Sequence, residues 1–426
     1  MAFSLAILFL GYQCDRSDFL TLILAFAIAF AAYLHWIDKK QYRSRKRILT
    51  DAIIIRVLLI LCIPRLSDDY HRFVWDGEIQ TQDHDPYTEL PSELTDRNAQ
   101  LETAFEQMNS RDYYSVYPPV MQWVFHAAAM IPGNNTWYSI IFLRLILILA
   151  DIGILLVGFE ILKLLKRPIA DMALYAFNPL VIIELTGNLH FEGLMIFFSL
   201  LALYLLMKAN THKQQAISAL SFSAGVLTKL VNLLFLPALL RRLGFGKALA
   251  YYMLVIGFTA LAFYPFLSEA LISNFSSSLD LYFRNFEFNA SIYALSMELA
   301  SHWRPHYTAQ FVGPILAITS LTVIVLVSLI RKADTWQDFM MTILFVLFIH
   351  LLFSSTVHPW YVINLLAISV FTRLRFPVVW SLMVVISYFM YGNDLYEVPW
   401  MIALEYAVVL IYFVYELRSK NQLSSG

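Results

Sequence analysis

The densest chemistry in this chain lies in Ser67-Asp68-Asp69-Tyr70-His71-Arg72-Phe73-Val74-Trp75-Asp76-Gly77. The stretch follows the apolar run Ile48 to Pro64, which is long enough to cross a bilayer. Two adjacent carboxylates, Asp68 and Asp69, therefore stand where a membrane helix meets water. A carboxylate so placed can serve as a general base toward a molecule held in the lipid. Counting at helical spacing from Asp68 reaches Arg72, then Trp75 and Asp76, so all can share one face. Arg72 one turn away would keep the Asp68 carboxylate ionised, and Trp75 suits a sugar ring or a lipid stem. A plainer reading stands beside this one. Ser-Asp-Asp is a good helix N-cap sequence, whose side-chain oxygens satisfy free N–H groups. Capping accounts for one acid but not for the cluster.

Further candidates follow in order. Asp83-His84-Asp85-Pro86-Tyr87 invites a metal reading, but it lacks HExxH-type spacing and the several convergent ligands such sites need. Tyr117-Pro118-Pro119 forces extended backbone before a new helix, which serves as punctuation or as the edge of a site. Lys229, in Leu227-Thr228-Lys229-Leu230, sits within an apolar region. A cation there is costly and marks a functional hypothesis, unless it snorkels to the surface. His358-Pro359-Trp360-Tyr361 falls at a membrane–water boundary, where Trp and Tyr also act as simple anchors. Arg56 and Arg144, inside apolar runs, are expected to face neighbouring helices or lipid headgroups. Asn289-Ala290-Ser291 fits a glycosylation sequon, a pattern frequent by chance.

The elements that must position these groups are membrane helices. Of 426 residues 59% are apolar, 15% aromatic and only 14% charged, against about 25% charged in soluble domains. Apolar runs alternate with short charged connectors, the pattern of an all-α polytopic integral membrane protein. The expected spans are roughly 1–13, 18–37, 48–64, 137–163, 170–186, 191–208, 247–267, 309–330, 337–354, 360–372, 377–391 and 398–416. A shorter pair, 214–228 and 230–240, is expected to enter and return around Lys229, and Val120 to Ile131 to stay interfacial or re-entrant. The first residues lack the basic region of a secretory signal. Two cysteines, Cys14 and Cys62, indicate neither a disulfide framework nor a metal cluster. A net charge of −1 gives no reason to expect nucleic acid.

Charge orders the topology. Connectors at 39–47, 163–167, 208–213, 241–247, 331–332, 373–375 and 418–420 hold 20 of the 30 Lys and Arg. Placing them all in the cytoplasm satisfies the positive-inside rule and puts both termini inside. Two long loops, 65–136 and 268–308, then lie outside. The first is acidic, with twelve Asp or Glu against four Lys or Arg, and it carries the catalytic candidates.

Taken in order, these motifs resemble a known family. Asp68…Trp75-Asp76-Gly77, Asp85-Pro86-Tyr87 and Tyr117-Pro118-Pro119 look like the first outer loop of GT-C glycosyltransferases. The nearest likeness is to bacterial polyprenyl-phosphate-mannose-dependent mannosyltransferases, with a fainter one to the GPI-anchor mannosyltransferase. Asn178-Pro179-Leu180 followed by Gly187-Asn188-Leu189-His190-Phe191-Glu192-Gly193 is similar to those families' third-loop signature, which usually reads His-Asn-Asp where this chain has His190-Phe191-Glu192. His358-Pro359-Trp360-Tyr361-Val362 looks like another recurrent element.

The resemblance implies a single GT-C-like domain over 1–426, with about 12–14 membrane helices. It implies an enzyme of cell-envelope glycan synthesis in the cytoplasmic membrane. A hexose, expected to be mannose, would pass from a polyprenyl-phosphate carrier to a lipid or glycan acceptor on the extracytoplasmic face. Asp68 matches the family's base, with Asp69 a near alternative. Inversion needs one carboxylate, whereas a retaining route would use the second acid as nucleophile. Arg72, Trp75, Asp76, Tyr117, His190, Glu192, Lys229, His358, Trp360 and Tyr361 are the expected substrate-binding residues, with Lys229, His190 and His358 the candidates for gripping phosphate. No cofactor is expected, and the sequence leaves a divalent metal open. The alternative class is a glycolipid transporter or flippase. Transporters place polar groups at mid-membrane, often within inverted repeats; here they gather on one face, and no repeat is visible.

Overall fold

The computed structural model describes residues 2–38, 44–133, 135–302, 308–391 and 398–424, with the side chains at 279, 281–285, 308–309 and 420–424 excepted. Lys39, Lys40, Arg43, His306, the side chain of Lys420 and most of the connector 392–399 lie outside the described residues. Every described element is helical, and an isolated bridge pairs Phe288 with Thr356. The protein is an all-α polytopic membrane protein.

Among the described residues six helices are long and apolar enough to cross a membrane: Phe19–Ile37, Thr136–Leu164, Phe245–Phe266, Gln310–Ile330, Trp336–Phe353 and Pro399–Ser419. The pair Ile169–Ala176 and Pro179–Gly187, bent by 55°, makes a seventh if taken as one span. Other apolar runs fold into shorter helices, among them Ala2–Tyr12, Arg45–Val57, Glu192–Lys208, His212–Val226 and Val362–Ser369. The run at 48–64 stays helical only to Val57. Beyond it the chain turns, and the Ile60 carbonyl accepts from Arg144 Nη1 at 2.9 Å. The bend at 177–178 follows from Asn178-Pro179. Asn178 Oδ1 caps the new helix by accepting from the N–H groups of Leu180 and Val181 at 3.0 and 3.4 Å.

The basic turns gather at one end of the bundle. Arg45 donates to Glu160 at 2.8 Å, Arg167 and Arg375 share Asp171, Gln337 donates to the Leu165 carbonyl, and Arg242 to that of Asp334. Asp68 and Asp69 lie at the opposite end, one long helix away. There Arg16 meets Asp68, and the Leu66 N–H reaches Asn188 Oδ1 at 3.3 Å.

Arg56 and Asp151 form an ion pair in the interior with no exposed guanidinium surface. The guanidinium also donates to the Ala52 and Ala176 carbonyls at 3.1 and 3.0 Å, tying three helices together. Removing one partner strands a buried charge, at an expected cost of about 3–5 kcal/mol. Asp151→Leu should therefore melt well below the parent in detergent, while the double change Arg56→Met/Asp151→Leu recovers much of the loss. Equal melting of single and double variants would show that the pair is not what joins these helices.

The segment 65–136 is itself helical: Asp69–Gln80, Ala99–Gln107 and Pro119–Ala129. Pro119–Ala129 is not among the helices able to span, and it packs on Asp69–Gln80 through stacked Phe73 and Phe125 rings 4.8 Å apart. The approach is close enough that a Cβ at Gly77 would overlap the Phe125 carbonyl. These contacts hold the start of the Asp69–Gln80 helix rigidly over the bundle.

Candidate active site

Asp68 occupies the N-cap position of the Asp69–Gln80 helix, yet its side chain makes no capping bond. Ser67 Oγ takes that task by accepting from the Asp69 N–H at 3.3 Å. The Asp68 carboxylate instead pairs with Arg16, which comes from the connector between the first two helices. The expected pairing of Asp68 with Arg72 is thus corrected: the cation paired with Asp68 is Arg16. The two acids point into different surroundings, since Asp68 lies with Arg16 and His71 while Asp69 faces His190, Lys229 and Glu192.

Around Asp69 the chain assembles residues from four distant segments. His190 Nδ1 lies 3.9 Å from Asp69 Oδ2. Lys229, at the break between His212–Val226 and the short turn Leu230–Phe235, forms an ion pair with Glu192. Its ammonium also sits 5.4 Å above the Tyr361 ring, a cation–π contact. The His190 ring stacks on Trp360 with centroids 3.6 Å apart, and His358 stacks on the same indole at 4.4 Å. Tyr391 Oη and His358 Nδ1 are hydrogen-bonded at 2.8 Å. Asp69 and Lys229 keep 30% and 25% of their side-chain surface exposed, so a ligand can reach both.

The electrostatics fit a base. Burial raises the Asp69 carboxyl above the usual carboxylate range; His190 and Lys229 pull it back down, while Glu192 and Asp68 push it further up. Burial lowers His190 to about 4 and His358 well below its ordinary value, so both rings are neutral near pH 7. Tyr117 keeps its proton far above the ordinary range through burial first and the charge of Asp69 second. Its ring is held edge-on to Phe73 and Phe125.

Asp69, Tyr117, His190, Glu192, Lys229, His358, Trp360 and Tyr361 therefore come together. Arg72, Trp75 and Asp76 do not join them. Arg72 Nε donates to Asp76 Oδ1 at 2.7 Å, and its Nη1 reaches the Ser110 and Tyr113 carbonyls at 2.8 and 2.9 Å. Asp76 is fully buried and accepts from Gln122 Nε2 at 3.0 Å, and Trp75 packs inside against Phe105. The physical reason is helical rise: two turns carry Asp76 about 10 Å along the axis, where the segment Ser110 to Tyr117 covers it. Sharing a helix face does not mean sharing a cleft. His358 Nδ1 is bound to Tyr391 and both imidazole rings stack on Trp360, while Lys229 is a partly exposed cation of the cluster.

His84 pairs with Glu89 at 2.6 Å. Among the described residues no group of three His, Cys, Asp or Glu is placed to hold a metal ion. Arg144 faces helix ends, donating to the Thr186 and Gly187 carbonyls at 2.7 and 3.1 Å beneath the site. Asn289 is buried, with Nδ2 reaching the Val357 carbonyl and Glu405.

Residues 9–243, more than half of the chain, match the family described as "Alpha-(1->6)-mannopyranosyltransferase, N-terminal domain". The chain belongs to this family. It is also similar to alpha-(1->6)-mannopyranosyltransferase A of Corynebacterium glutamicum, at 25% identity over 171 residues. That match covers 39% of this chain and 34% of the relative, so only about a third of the relative's length is spanned. The family match contains Arg16, Asp68, Asp69, Tyr117, His190, Glu192 and Lys229. His358, Trp360 and Tyr361 lie beyond it, and the fold brings them back onto His190 and Lys229.

Proposed function

We propose that this protein is a membrane mannosyltransferase that takes mannose from a polyprenyl-phosphate carrier and delivers it to a lipid or glycan acceptor. The observation that carries the reading is a partly exposed carboxylate, Asp69, within electrostatic reach of a partly exposed cation, Lys229. Asp69 and Lys229 lie at the end of the bundle away from the basic turns. By the positive-inside rule that end is extracytoplasmic, which would put both termini and the basic turns in the cytoplasm. Family membership supports mannose as the sugar.

In the proposed step the acceptor hydroxyl attacks the anomeric carbon and gives its proton to Asp69. The bond from that carbon to the phosphate oxygen breaks, and polyprenyl phosphate leaves with the electron pair, its charge met by Lys229. Asp68, tethered to Arg16, keeps a second negative charge beside the base. One displacement inverts the centre, so an α-linked product requires a β-linked donor. The prenyl tail stays among the apolar helices while the sugar reaches water.

The test uses purified protein in liposomes with β-mannosyl polyprenyl phosphate, the matching α-anomer and a panel of mannose-bearing acceptors. The reading expects α-mannoside formation from the β-donor without any membrane gradient. Movement of the donor lipid between leaflets with no bond exchange would overturn it in favour of a flippase.

A further inference from the structure

Glu184 is a buried acid that takes no part in the proposed step. Glu184 lies in the π-helical turn Ile182–Gly187 and has no exposed surface. π-Turns are rare and often mark functional sites. A carboxyl among apolar helices is costly and marks a functional hypothesis. Glu184 Oε1 accepts a hydrogen bond from Tyr388 Oη. Its Oε2 faces His190 Nε2 at 3.3 Å, with the Asn188 amide as a further polar neighbour. The same turn sends the Glu184 carbonyl to the His190 backbone N–H at 3.1 Å. The His190 ring is pinned from the side by Trp360, and its other nitrogen points at Asp69.

We infer that Glu184 is a positioning residue for the base: through His190 it fixes the tautomer and orientation that hold Asp69 ready. The inference rests on Asp69 being the base. A neutral imidazole has one N–H and one lone pair. For Asp69 to be ionised and steadied, the proton must sit on Nδ1, facing the carboxylate. Nε2 must then accept, and a protonated Glu184 Oε2 is the group placed to donate to it. Tyr388 fixes which oxygen carries that proton, because its hydroxyl already donates to Oε1. The arrangement parallels nucleophile–base–orienter sets, in which the third group acts only through the second.

This makes an unusual forecast. Glu184→Gln should retain function, since the amide oxygen would accept from Tyr388 and the NH2 would face Nε2, preserving the tautomer. Glu184→Met offers no donor, and kcat should fall about 10–100-fold, by analogy with the loss of an outer partner of a metal-bound imidazole. Donor KM should stay within about twofold in both. In the Glu184→Gln/Tyr388→Phe double variant the amide can turn over, so kcat should drop about tenfold below Glu184→Gln alone. This second comparison serves if the Met variant fails to fold. Nitrogen-15 NMR of the His190 ring should report the Nδ1–H tautomer in the parent and in Glu184→Gln. Equal kcat in Glu184→Gln, Glu184→Met and the double variant would overturn the inference, as would an Nε2–H tautomer in the parent. Asp69→Asn run alongside separates the two levels: if it stays active, the underlying reading fails; if it is inactive while Glu184→Met is not, only this inference fails.

Discussion

Asp69→Asn should lower mannosyl transfer by about 10²–10⁴-fold, the usual contribution of a positioned general base, while donor affinity changes little. The side chain keeps its size and its place beside His190, so the loss should appear in kcat and kcat/KM together. Asp68→Asn should do far less. Its carboxylate is 36% exposed and paired with Arg16, and pairs this open contribute about 0–1 kcal/mol, which corresponds to less than tenfold in rate. The pH profile gives an independent check. A base must be ionised to act, and burial raises the pKa of Asp69, so with Asp69 as the base activity should fall on acidification at a pH above the ordinary Asp range of about 4. Asp68 and Glu192 raise that pKa further, whereas His190 and Lys229 lower it. Asp68→Asn and Glu192→Gln should therefore move the acid limb to lower pH, and Lys229→Met to higher pH. Full activity in Asp69→Asn together with loss in Asp68→Asn would exchange the roles of the two acids.

Much of this was legible in the chain because hydropathy and charge are read along one dimension. The apolar runs at 137–163, 309–330 and 337–354 became Thr136–Leu164, Thr308–Ile330 and Trp336–Phe353, within a residue or two at each end. The break at Lys229 was legible too, because a lone cation between two short apolar runs cannot sit in a continuous span. What local spacing could not supply was pairing at a distance. Arg16 and Asp68 are 52 positions apart and Lys229 and Glu192 are 37 apart, and no periodicity joins them. Spacing misled at Arg72 and Asp76, which do share a face but serve each other under the covering loop. Glu184 carried a signal of its own, a single acid within Val181-Ile182-Ile183-Glu184-Leu185. Its meaning rests on Tyr388 and His190, which only the fold brings to it.

Lys229→Met should weaken donor use by about 10²–10³-fold, comparable to losing one strong electrostatic donor at a developing anion. In the resting arrangement the ammonium is held by Glu192, whose second oxygen has no hydrogen-bond partner among the described residues. A phosphodiester entering beside Asp69 would carry one negative charge, as Glu192 does, and would compete with that carboxylate for the same cation. Lys229 would then meet the phosphate in the ground state and more strongly as the leaving oxygen gains charge. The loss should therefore divide between a higher donor KM and a lower kcat. Glu192→Gln should separate these effects: the amide no longer competes for the ammonium, so donor KM should fall or hold while kcat stays within about tenfold, a shift below 1.4 kcal/mol. Lys229→Arg should retain part of the activity, since the charge survives although the compact geometry does not. An unchanged donor KM and kcat in Lys229→Met would show that the leaving phosphate is met by other groups, and would remove Lys229 from the donor site.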